Sequence, residues 1–311
     1  MSKLLSISWV LFGATFLVTL LLHVIPGNPV DSILGEQASE SARQKLSYDL
    51  GLTSLEGHPL SIPEQYILFV RRVATNELKS FRTHEPVFDR IRARLPYTLI
   101  LAFASMLIAL TMGPFLGILA AWRKERWPDY AIRFLALLGL SLPKFFLAPL
   151  LLLAFSIYWP IFPISGASDG MASLLLPAFS LGLTMAAVQM RFTRASILEV
   201  SHQDYIRTAR AKGLSEWSVY FKHALRNALI PIVTIVGLEL GSLLAGAVVV
   251  EKIFGWPGIG LLLLESIQQL DVPMVQGTVL LIAFSYVLLN LLTDWVYALI
   301  DPRVRVAERE P

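Results

Sequence analysis

Apolar residues in this chain fall in long runs separated by shorter polar segments. Six runs are long and apolar enough to cross a bilayer as helices: Ile7–Ile25, Tyr97–Ala121, Ile132–Tyr158, Leu174–Met190, Leu229–Val250 and Gly277–Ile300. The fourth is short; the third carries Arg133 at its start and Lys144 further in, and the fifth carries Glu239. The core of a large soluble protein could also supply apolar helices, but six in series point to a membrane. The first run follows Lys3 and could be read as a signal peptide. It exceeds a usual signal core and no A-x-A site follows, which favours an uncleaved anchor.

Composition agrees: 55% of the 311 residues are hydrophobic and 16% charged, against about a quarter charged in a soluble domain. The net charge of +3 matters less than its location. Arg123, Lys124 and Arg126 follow the second run, seven basic residues lie between Arg191 and Arg226, and Arg303, Arg305 and Arg309 lie in the tail. Trp159–Ser173 has no Lys or Arg, and Glu251–Gln276 has only Lys252. The positive-inside rule then places both termini in the cytoplasm.

Pro26–Pro96, with nine basic and nine acidic residues, is a balanced loop that can translocate despite its charge. It reads as a small extracytoplasmic subdomain with helical stretches near Pro63–Glu77 and Glu85–Arg94, and turns at Gly27–Pro29 and Gly57–Pro59. The chain divides into an anchor helix at 1–25, this subdomain at 26–95, a five-helix core at 96–300 with a cytoplasmic loop at 191–228, and a tail at 301–311. The fold class is all-α, integral to the membrane.

Enzyme chemistry finds no support. The chain has no cysteine, no H-E-x-x-H, no G-x-S-x-G and no G-x-x-x-x-G-K-[ST], and its five histidines lack metal spacing. No catalytic residue, metal site or cofactor is assigned, and nothing points to nucleic acid. Gly113–Gly117 and Gly237–Gly241 match G-x-x-x-G, which permits close helix packing, better read within one chain than between two.

The densest charge lies in "DYIRTARAKGLSEWSVYFKHALRN", Asp204–Asn227. Asp204 suits an N-cap and Gly213 the left-handed residue that ends a helix. Tyr205, Ala209 and Leu214 fall on one side, while Arg207, Arg210 and Lys212 project elsewhere. A second helix restarts near Ser215, its apolar side built from Trp217, Val219, Tyr220, Phe221, Ala224 and Leu225. Anionic lipid accounts for the charge and aromatics. The small run Thr208, Ala209, Ala211, Gly213 suits close approach by a protein. On the residues alone the two readings stand level.

The stretch Asp204–Thr234 resembles the signature loop of ABC-importer permeases, specifically the dipeptide/oligopeptide/nickel branch. "HVIPGNPVDSILG", "RLPYTLILA", "AVVVEKIFGWPGIG", "DVPMVQG" and "LIDPRVR" agree in order along the whole chain. The resemblance implies the type I importer permease fold and a coupling helix seated in a cytoplasmic ATPase subunit. Its wider E-A-A-x-x-x-G pattern falls on Arg207-Thr208-Ala209-x-x-x-Gly213, departing at the first two places. The coupling loop so implied comprises Tyr205, Arg207, Thr208, Ala209, Arg210, Ala211, Lys212, Gly213 and Leu214. Implied partners are a second permease subunit, two ATPase subunits that hold ATP and Mg, and an extracytoplasmic solute-binding protein, with lipid around the spans. The expected function is a permease subunit coupling ATP hydrolysis elsewhere to alternating access for peptides or similar solutes, in the inner membrane. The competing reading is a channel or scaffold without ATPase coupling.

Lys144 and Glu239 both fall near mid-depth at about 1.5 Å per residue, where a lone charge costs at least about 2.5–3.5 kcal/mol. They either pair for assembly or line a translocation pathway; related permeases usually carry uncharged residues at both places. Pro143 and Pro149 can kink the same span. Trp256 reads as an interfacial anchor, and the resemblance implies an extracytoplasmic gate at Gly255, Trp256, Pro257 and Gly258. Around "NELKSF" (Asn76–Phe81) the chain departs from the Gly-Asp-Leu-Gly-like run usual in the branch.

Overall fold

The computed structural model describes residues 2–24, 29–35, 38–54 and 57–300. Gly27 and Asn28, of the first expected turn, and the tail at 301–311 lie outside the described residues. The described residues are helical and include no strand, only the isolated bridges Thr53–Pro59 and Lys79–Pro86.

Helix α1 (Ser2–Val24) carries the first apolar run. Short helices α2 (Pro29–Leu34), α3 (Glu40–Asp49) and α4 (Ile62–Ala74) follow. A capping box starts α4: the Ser61 hydroxyl and backbone N–H both donate to Glu64 at 2.7 Å and hold its carboxyl below the usual range. Helix α5 (Val87–Trp122) begins at Val87 instead of Tyr97, so most of the Glu85–Arg94 stretch is its opening and not a separate helix.

The third run is broken. Helix α6 (Trp127–Ser141) ends before Leu142, and α7 (Lys144–Leu152) starts after Pro143 and widens into a π-helical turn at Leu153–Tyr158. The two arms meet at 108°, since proline has no N–H to continue the ladder. Helix α8 (Met171–Val200) has 30 residues, so the fourth run is longer than its apolar stretch alone suggests. Then come α9 (Asp204–Ala211), α10 (Glu216–Ser218) with a π-helical turn at Val219–Ala224, α11 (Leu225–Phe254), α12 (Ile259–Gln268) and α13 (Val272–Ile300). Helix α12 lies inside the segment read from sequence as an outer loop. By length and composition, three described helices could each cross a membrane, and up to six spans result if each bent helix pair counts as one.

The chain packs as two compact units. The first holds 1–97 with 257–287. In its core Phe69, Leu78, Val87 and Ile91 meet Ile259, Leu262 and Met274. The Ser80 hydroxyl donates to Asp271, and the Phe81 backbone N–H donates to Asp271 Oδ1 at 3.0 Å. The unusual "NELKSF" stretch is thereby tied to the residues just before α13.

The second unit holds 98–256 with 288–311 and is organised around α8. In the most apolar stretch of α8, 67% of residues are buried, against 28% for α5. Helix α5 meets it through glycine. A Cβ added at Gly117 would lie 2.7 Å from the Met190 carbonyl oxygen and 2.7 Å from Thr193 Cβ, and one at Gly182 would lie 2.8 Å from the Ser105 carbonyl oxygen. The Gly113–Gly117 motif thus packs inside the chain, backbone against backbone. Gly237 does the same for α11 against the Thr293 side chain of α13.

Helix α6 is held to α8 by a buried fork. Arg194 Nε donates to Asp129 Oδ1 at 2.8 Å and Nη2 to Oδ2 at 2.7 Å, with Asp129 wholly buried. The Glu125 backbone N–H also donates to Asp129 Oδ2, at 3.0 Å. Paired geometry of this kind satisfies both charges.

The glycine contact makes a direct prediction. Gly117→Ala forces a methyl into backbone that cannot yield, at a cost of about 1–3 kcal/mol for overpacking, visible as a lower Tm in detergent. Gly13→Ala, where a Cβ meets nothing within 4 Å, leaves Tm unchanged or raises it. Equal Tm values for Gly117→Ala and the parent would refute the close approach.

Candidate functional site

The basic loop is a short helix hung from the end of α8. Helix α9 has Gln203 as N-cap and Asp204 as its first residue, because the Ile206 N–H already bonds to the Gln203 carbonyl at 3.1 Å. The helix therefore begins one residue earlier than expected, and Asp204 favours the positive N-terminal end from within the first turn. Gly213 ends the loop with φ +76 and Ser215 caps the next helix, accepting from the Ser218 N–H at 3.4 Å. Both agree with the sequence reading.

The inward side differs. Ile206, fully buried, and Ala209, 6% exposed, enter a core with Ile118, Ile197, Val200, Val219, Tyr220 and Ala228. Tyr205 is half-buried against the same core, while Leu214 is exposed. The expected grouping of Tyr205, Ala209 and Leu214 on one side is thus corrected: Ile206 does the anchoring and Leu214 faces away. Most of the Ala209 surface is used within the chain. Residues Arg207, Thr208, Arg210, Ala211, Lys212, Gly213 and Leu214 form the exposed edge.

Arg210 is engaged inside the loop as well. Its Nε donates to Glu216 Oε1 at 2.9 Å, its Nη2 to Glu216 Oε2 at 3.3 Å, and the guanidinium lies 5.8 Å from the Tyr220 ring centre. The Glu216 hydrogen bonds raise the Arg210 pKa further above its ordinary value, so it stays charged at any working pH. The pair clasps the two sides of the Gly213 turn. Among the described residues Arg207 pairs only with the exposed Asp204, at 3.5 Å, an interaction of little strength. Trp217 stacks on Phe221 at 3.8 Å and meets Trp122 edge-on at 5.9 Å. That packing fixes the second helix of the loop to the end of α5.

Of the two intramembrane charges, Glu239 is 7% exposed and accepts from Gln189 Nε2 at 2.7 Å. Gln189 itself is fully buried on α8, beside the Gly113 contact. Lys144 opens α7, but its side chain lies outside the described residues. Sequence reading missed Gln189: an amide in an apolar run is a visible signal, yet nothing in its spacing names a partner fifty residues on. Glu251 was placed in an outer loop; it is fully buried within α11 and accepts from Thr98 Oγ1 at 2.7 Å.

At the expected gate, Gly255 is the left-handed cap of α11 with φ 58, and a Cβ there would strike Ser165 Oγ. Trp256 is 4% exposed and packs with Leu101, Leu176, Val250 and Phe254. It is a core residue and not the interfacial anchor read from sequence. Pro257 is half-buried, and buried Gly258 is the N-cap of α12.

Residues 113–306 match the family of binding-protein-dependent transport system inner membrane components. The chain is 40% identical to the dipeptide transport system permease protein DppB of Alkalihalophilus pseudofirmus, over 98% of both chains. It is also 40% identical to the glutathione transport system permease protein GsiC of Escherichia coli (strain K12), over 97% of both. In fold it is similar to a chain of the MetNI methionine ABC transporter in an inward-facing conformation, with TM-score 0.61 and 16% identity over 70% of this chain and 99% of that one. A glycine-packed helical core, an exposed basic loop anchored to it and these relatives together place the chain in the ABC importer permease family, as a multi-pass membrane component of a binding-protein-dependent transport system.

Proposed function

We propose that the chain carries peptides or related small solutes inward, alternating access between the two sides as ATPase subunits holding ATP and Mg close and open. The observation that carries this reading is the exposed Arg207–Leu214 edge, held to the spans by buried Ile206 and Ala209. A push on that edge is passed to α5, α8 and α11 through one close-packed cluster, which does not deform gradually. Arg207 and Lys212 remain to meet acidic groups on the ATPase, while Arg210 keeps the edge in shape. A second permease subunit completes the path, a solute-binding protein delivers at the extracytoplasmic subdomain (26–95), both termini are cytoplasmic, and lipid surrounds the spans. The dipeptide and glutathione permeases among the relatives supply the substrate class.

Within the core at 96–300, Lys144 and Glu239 shape the path, and Gly255, Trp256, Pro257 and Gly258 form the gate. Support for Glu239 is its buried position on α11, where it accepts from Gln189 Nε2 of α8 at 2.7 Å.

In proteoliposomes holding the whole transporter, Gly213→Val strains the left-handed turn and lowers ATP-driven uptake by roughly tenfold or more, the cost of αL for an L side chain being about 1–2 kcal/mol. Arg207→Glu with Lys212→Glu, which leaves the turn intact, lowers uptake while the amount of assembled permease stays the same. Unchanged uptake in the charge-reversed variant would sink the docking role. Glu239→Gln alters the rank order of transported peptides of different charge; an unaltered rank order with full uptake would remove Glu239 from the path.

A further inference from the structure

Among the cavities that neither the pathway nor the coupling loop uses, one is lined by arginines and by apolar side chains. It has a volume of about 480 Å³ between α6 and α8 and is lined by Tyr130, Arg133, Phe134, Leu137, Met190, Arg191 and Arg194, among others. Volumes of this order suit a bound small group. One end carries three guanidinium groups. Arg194 is neutralised by its fork with Asp129, and Arg133 and Arg191 form no ion pair among the described residues. Counting three cations and one carboxylate leaves two positive charges for an occupant.

The rest of the cavity is apolar and opens outward. Phe134 is 60% and Leu137 62% exposed, next to exposed Leu135 and Leu138 on the same arm of the broken third span. The charged end sits where α6 begins, near Arg123, Lys124 and Arg126, which is the edge of the apolar region. An occupant must therefore present an anion at the membrane edge and hydrocarbon deeper in. A free phosphate satisfies only the first requirement, and a second protein surface would have to bring its own buried carboxylates.

We infer that this cavity binds one anionic phospholipid, its phosphate between Arg133 and Arg191 and its acyl chain along Phe134 and Leu137. Arg194 holds the wall in place through Asp129 and adds to the field without releasing its fork. The bound lipid covers the unpartnered face of α6.

The test uses the full chain in detergent, stripped of lipid and then given phosphatidylglycerol or phosphatidylcholine with identical acyl chains. Lipid retained per chain is read by native mass spectrometry. The parent retains phosphatidylglycerol over phosphatidylcholine by roughly tenfold, in keeping with the attraction of basic residues to anionic headgroups. Arg133→Gln with Arg191→Gln, which spares the Asp129–Arg194 fork, abolishes the preference, and Arg133→Lys with Arg191→Lys restores most of it. Equal retention of both lipids by the parent overturns the proposal, as does an undiminished preference in the Gln variant. Glycerol 1-phosphate displacing the lipid at equal concentration would also overturn it, by showing a site for small anions. If the Gln variant fails to fold, the parent's lipid preference and the glycerol 1-phosphate competition decide alone.

Discussion

Within a bilayer, helices gain nothing from burying apolar surface against one another, because lipid is equally apolar. Close backbone approach and satisfied polar groups must do that work. In this chain both converge on α8. Gly113 and Gly117 of α5 touch its backbone, Gly182 admits α5 in return, Gln189 holds Glu239 of α11, and Arg194 holds Asp129 of α6. The Gln189–Glu239 tie is buried, so removing one partner leaves a polar group without water to replace it. Helix α8 is thus the member on which the positions of α5, α6 and α11 depend.

The exposed Arg207–Leu214 edge inherits that dependence. Helix α9 follows α8 after a three-residue turn at 201–203, and α11 follows the π-helical turn with no break. Ile197 and Val200 at the end of α8 share a cluster with Ile206, Ala209 and Tyr220. Movement of the exposed edge therefore reaches α8 through contact and not only through the chain. The Arg210–Glu216 fork is exposed and weak in isolation, but it spans the Gly213 turn and ties its two sides together.

Much of this was legible in the sequence. Long apolar runs gave the membrane class, Gly113–Gly117 gave an internal contact, Pro143 gave the break in the third span, and Gly213 and Ser215 gave the turn and restart of the loop. These signals are local, carried by backbone freedom, a missing N–H or runs of one chemistry. What escaped rests on partners distant in sequence. Gln189 and Glu239 are fifty residues apart, Asp129 and Arg194 sixty-five. Trp256 resembles any interfacial tryptophan until its neighbours are known, and α12 was taken for loop because its apolar run is short. The inward turn of Ile206 instead of Leu214 is a matter of spacing: Ile206 stands three residues before Ala209 and shares its side of α9, while Leu214 lies beyond the Gly213 turn.

The central claim is that the Arg207–Leu214 edge meets protein and not lipid. Because the chain has no cysteine, Leu214→Cys provides one thiol at a known place. In the assembled transporter, a short reagent that links a thiol to a lysine amine should join that thiol to an ATPase subunit, and a lipid-soluble maleimide should leave it unlabelled. Labelling from the bilayer with no cross-link to the ATPase would contradict the account.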